Sequence, residues 1–147
     1  MSITEDAREA VMTGRRTDGT RVRRPLSPHL QVYDMVQMTS GMSIANRGAG
    51  IAWTIGMVFL VWWLVAAAAG PQAFANAQWF FGSFLGMLAL AGLTAVAWFH
   101  TFAGLRHLYW DFGKGYDLPA VHKTGYITLI ATGVMTALTW LIAIVSW

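Results

Sequence analysis

The residues best able to do chemistry in this chain lie between Trp98 and Asp111, in the run Trp-Phe-His-Thr-Phe-Ala-Gly-Leu-Arg-His-Leu-Tyr-Trp-Asp. From Gly48 to Leu105 there is no Asp, Glu, Lys or Arg, so His100 stands inside the charged edge of a long apolar segment. At about 100° per residue a helix gathers His100, Gly104, His107 and Asp111 into a stripe roughly 60° wide. One helix face then presents an imidazole, a gap, a second imidazole and a carboxylate. An imidazole in apolar surroundings is either a hydrogen-bonded structural group or an axial ligand for haem iron, and in the second case Gly104 leaves room for a flat macrocycle. His107 is about 10 Å further along the axis and cannot share an iron with His100. A bis-histidine haem therefore takes its second ligand from another chain, while His107, Arg106 and Arg47 are placed to hold its propionates near the aqueous boundary.

A second polar group precedes the first apolar run. Ser43, Asn46 and Arg47 are spaced i, i+3 and i+4, hence on one helix face. Arg47 alone reads as a snorkelling arginine at a membrane interface; a hydroxyl one turn earlier on the same face makes the pair a small polar site. His29 follows two prolines and has no second ligand at helical spacing, so it reads as a surface or interface residue. His122 is expected in a loop without a special role.

The elements that carry these groups follow from composition. The chain has 147 residues, 56% of them hydrophobic, with eight tryptophans, which places it among integral membrane proteins. Two uncharged stretches, 48–105 and 124–147, hold three spans of about 20 residues, the length a hydrocarbon core about 30 Å thick demands. The expected spans are about 49–69, 79–107 and 124–147, with Gly70 to Gln78 as a short turn and Gly82 with Gly86 as a small-residue pair for close helix approach. Residues 1–34 read as an aqueous tail followed by an extended docking segment over Arg24 to Tyr33, and residues 35–147 as the membrane domain. Of the ten Lys and Arg, seven precede Ala49 and three lie between Arg106 and Lys123. The positive-inside rule then places the N-terminus and the second loop inside and the C-terminus outside. With no cysteine, iron–sulfur and cysteine-type zinc sites within the chain are excluded.

Taken jointly, Arg24-Pro-Leu-Ser-Pro-His-Leu, Ser43-Ile-x-x-Arg47 with Gly50, and His100-x-x-x-Gly-x-Arg-His107-x-x-x-Asp111 resemble the cytochrome b membrane-anchor subunit of succinate dehydrogenase. The likeness covers residues 24 to 147. It implies an all-α anchor in the bacterial inner membrane rather than the mitochondrial one, assembled with a flavoprotein, an iron–sulfur protein and a second small membrane anchor, and in contact with lipid but not nucleic acid. His100 matches the residue that ligates haem b, and Ser43 and Arg47 match residues lining a ubiquinone pocket. His107 and Asp111 match the motif without an assigned role, and Asn46, Arg47 and His107 are the candidates for contact with haem propionates. The usual histidine before the arginine is Asn46 here, and an amide cannot titrate. A haem-free structural anchor and the anchor of a fumarate reductase running in reverse are the alternatives.

Overall fold

The computed structural model describes residues 10, 12–24 and 36–146, and the chain divides into two units, 1–36 and 37–147. In the first, β1 (Thr13–Arg15) pairs antiparallel with β2 (Arg21–Arg23) in a small hairpin. Its turn is closed by Gly19 N–H donating to Arg16 O at 2.9 Å, and by Asp18 accepting from Thr20 N and Thr20 Oγ1 at 2.9 and 2.7 Å. The aqueous tail thus contains a local β element that composition alone did not suggest. His29 and most of the extended docking segment lie outside the described residues.

The second unit holds four helices among the described residues: α1 (Met38–Ala69), α2 (Pro71–Gly82), α3 (Phe84–Asp111) and α4 (Leu118–Ser146). Three of them, α1, α3 and α4, are long and apolar enough to cross a membrane. At 1.5 Å per residue each exceeds about 40 Å and projects past a hydrocarbon core about 30 Å thick. Large apolar side chains such as Ile51, Leu64, Leu85 and Ile142 point outward, as they do where lipid and partner helices replace water. The residues turned inward are mostly small or short: Ala49 and Gly56 on α1, Ala103 on α3, Gly125 and Thr128 on α4. Met42, Ala49 and Gly56 recur every seven residues, a seam that lets antiparallel backbones approach closely. Along it α3 packs between α1 and α4.

Two connections depart from expectation. Gly70, at φ 122°, breaks the chain direction, and Pro71 opens a 12-residue helix where a turn was expected. Pro suits a first helical position, and Ala73, Ala75 and Ala77 favour continuation. Trp63 Nε1 donates to Gln78 Oε1 at 3.0 Å, and Phe59, Trp62, Phe80 and Phe81 interlock, so α2 is fastened to α1. Ser83 then interrupts the expected second span: its hydroxyl accepts from Gly86 N at 3.1 Å and caps α3, which begins at Phe84 rather than near residue 79. Gly82 and Gly86 consequently sit on different helices, with Gly86 pressed against the backbone of Phe80 and Phe81 and Gly82 facing open space. At the other end Asp117 Oδ2 accepts from Ala120 N at 3.1 Å and starts α4 at Leu118, which puts His122 on a helix, exposed, instead of in the loop.

Candidate functional site

The seam between α1 and α3 brings together two residue pairs that lie about 50 and 60 positions apart in sequence. At the first, the ring of His100 lies on the backbone of Gly50, close enough that a Cβ there would come within 3.3 Å of Cε1 and 3.8 Å of Nδ1. Nδ1 is enclosed and has no hydrogen-bond partner. Neither ring nitrogen is bonded among the described residues, so the outward nitrogen, Nε2, is the one presented to the surroundings. Gly104, one turn away on the same stripe, has open space where a side chain would stand. At the second pair, Asn46 Nδ2 faces His107 Nε2 at 3.4 Å, and the His107 ring meets Trp110 edge to face with centroids 5.1 Å apart. The amide and the imidazole are thus placed to share a hydrogen bond, whose direction follows the tautomer of His107. Asn46 Oδ1 is enclosed without a partner, like His100 Nδ1.

Ser43 and Arg47 are exposed and make no side-chain hydrogen bond among the described residues. Ser43 and Gly50 are seven residues apart and so share nearly one azimuth on α1, with Arg47 between them in height. The hydroxyl and the guanidinium therefore stand on the rim of the seam that holds His100, open to whatever lies beside it.

Arg106 does not join this group. It is 8% exposed and turns toward α4, where Nε donates to Thr124 Oγ1 and Nη2 to Val121 O, both at 3.0 Å. Its guanidinium carbon stands 4.1 Å from the centroid of the Trp110 ring. The expectation that it holds a propionate beside His107 is corrected: adjacent helical residues point about 100° apart, and Arg106 clasps α3 to α4. Asp111 is exposed at the end of α3. The residue whose role sequence reasoning left unassigned is Gly50. Its signal was present as the position two turns after Ser43, but only the apposition of α3 makes it the floor under an imidazole.

The arrangement fits a haem in one specific way. Among the described residues no group of three or more His, Cys, Asp or Glu converges, so an iron held at His100 would not draw three such ligands from them. The free Nε2 and the open ground at Gly104 suit an imidazole beside a planar group, while the enclosed Nδ1, which would then carry the proton, has no acceptor among the described residues. This is the class of small multi-pass membrane protein with a cluster of polar side chains at one end of its helices.

Residues 20–140 match the family model for the succinate dehydrogenase/fumarate reductase transmembrane subunit. The chain is 42% identical over 125 residues to the succinate dehydrogenase cytochrome b556 subunit of Paracoccus denitrificans, covering 85% of this chain and 95% of that one. It is 31% identical over 118 residues to the b556 subunit of Rickettsia felis, covering 80% and 91%. To the mitochondrial cytochrome b560 subunit of Bos taurus it is 34% identical over 118 residues, covering 77% and 68%. The chain belongs to the succinate dehydrogenase/fumarate reductase transmembrane subunit family. With bacterial relatives and three spanning helices, it is a multi-pass protein of the bacterial inner membrane.

Proposed function

We propose that this chain is the cytochrome b anchor subunit of a succinate:quinone oxidoreductase, contributing His100 as one axial ligand to haem b and helping form the ubiquinone-reduction site. The observation that carries this reading is His100 seated on Gly50 with its second nitrogen accessible and no competing hydrogen bond. When bound, the haem supplies a one-electron store beside the quinone. His100 would hold the iron, and a second small membrane anchor would share the haem. Asn46, Arg47 and His107 would hold its propionates at the aqueous end. Ser43 donates a hydrogen bond to a quinone carbonyl, and Arg47 fixes positive charge where the quinone gains negative charge. Succinate oxidation belongs to the flavoprotein, and the iron–sulfur protein delivers the electrons; residues 35–147 form the anchor domain.

Purification of the assembled complex tests the reading. A reduced-minus-oxidised spectrum should carry a b-type band, and mass spectrometry of the same sample should return flavoprotein and iron–sulfur partners. A complex with those partners and no band would make the chain a structural anchor.

The basic residues support an N-inside, C-outside topology. Reporter fusions at Ala75, on α2, and at Lys114, between α3 and α4, should report opposite sides, with Lys114 inside. The same side for both would remove the shared inner location of Arg47 and His107.

A further inference from the structure

The hairpin of the first unit has a feature that anchoring a haem does not use. Strand pairing sets Thr13 opposite Arg23 and Arg15 opposite Arg21, with Gly14 opposite Val22 between them. Because side chains alternate across a strand, Arg15, Arg21 and Arg23 emerge on one face, and all three are exposed. The other face carries Val22 and Gly14, and the side chain of Arg24 lies over Gly14. Like charges directly opposite one another oppose strand pairing, and Arg15 and Arg21 stand in that relation. Neither has a carboxylate partner among the described residues. Asp18, the acid in the turn, is already engaged by the Thr20 hydroxyl and amide, which hold its carboxyl below the usual carboxylate range. An anion brought to this face would relieve the repulsion.

The nearest large source of anions is fixed by covalent connection. Thirteen residues lie between Arg24 and Met38, where α1 begins, a link of fourteen Cα-to-Cα steps. At 3.3–3.6 Å per residue a link of that length could span at most about 50 Å, which keeps a bilayer within reach of the hairpin. Arginine's planar fork pairs with phosphate oxygens two at a time, and basic residues next to a span are attracted to the anionic lipids of the inner leaflet.

We propose that the Arg15/Arg21 face of this hairpin is a docking surface for the phosphates of anionic phospholipid headgroups, with Arg16 at the turn adding to the same field. Bound phosphates would hold the N-terminal unit to a bilayer surface.

The full-length chain tests this directly, because the absence of cysteine lets Thr17→Cys carry a single fluorophore. Energy transfer to headgroup-labelled lipid is measured in nanodiscs of phosphatidylcholine alone and of phosphatidylcholine with phosphatidylglycerol. Transfer should rise with phosphatidylglycerol and fall back in about 0.5 M salt, where screening is short-ranged. The Arg15→Gln/Arg21→Gln variant should weaken the association about thirty-fold, roughly five-fold for each charge removed. It also removes the cross-strand repulsion, so the hairpin itself is retained. Equal transfer in both lipids, or a glutamine variant that behaves as the parent, would overturn the proposal. So would close approach that appears in phosphatidylcholine only when the soluble partner subunits are added, which would assign the face to an acidic protein surface.

Discussion

Replacing Arg47 by leucine should slow succinate-to-quinone turnover roughly ten- to a hundred-fold while leaving succinate oxidation by a water-soluble artificial acceptor near the parental rate. The size follows from one lost hydrogen bond to a charged group, about 1.5–3 kcal/mol, if it acts on the quinone as it gains charge. The direction follows from position. Arg47 is exposed, one turn from Ser43, and on the rim of the α1–α3 seam with no side-chain partner among the described residues. A guanidinium committed to a structural clasp, as Arg106 is, would behave differently: its loss would loosen helix packing and lower the yield of assembled complex. Arg47→Lys should recover part of the rate, since charge is kept and the planar fork is lost. Haem content measured on the same samples separates the roles, because an arginine that mainly holds a propionate loses haem and activity together. A leucine variant with full haem and the parental quinone rate would make Arg47 a topology anchor and displace the proposed quinone site.

Replacing His100 by leucine should abolish the six-coordinate haem spectrum of the complex, or leave an altered-spin form, because one axial position then opens into an apolar space. His107→Leu should keep six-coordination, since the His107 ring is engaged by Asn46 and Trp110 at the exposed end of the stripe. The difference between the two histidines rests on their neighbours. His100 is held against backbone at Gly50 with no hydrogen bond to either nitrogen, whereas His107 Nε2 faces an amide. The spectrum reports ligation independently of turnover, so a folded complex with reversed effects would move the ligand to His107. The family membership would stand in that case.

The membrane-spanning helices were legible in the sequence because hydropathy is a local property. An uncharged run of sufficient length is helical in lipid wherever its partners lie, since every backbone polar group must be satisfied within the segment. The composition of stripes was legible for the same reason: the 3.6-residue period alone places His100 with His107 and Ser43 with Arg47. Helix ends were less so. Ser83, one residue in an apolar stretch, ends α2 and caps α3 through its hydroxyl, and nothing in hydropathy distinguishes it from the small residues around it. The 13–24 hairpin was missed because charge and small residues read as solvated coil, while its pairing depends on a turn closed by Asp18 and Thr20.

What the sequence determined by itself is therefore three apolar spans, an imidazole stripe at one end of the second, and a hydroxyl–guanidinium pair at the start of the first. The tertiary structure decided which of these groups meet. Asn46 faces His107, Gly50 makes the floor for His100, and Arg106 leaves the polar end to hold α4. The physical reason is that each helix fixes its own azimuths through backbone hydrogen bonds. The rotation of one antiparallel helix against another is set only when small residues such as Ala49, Gly56 and Ala103 let their surfaces interlock.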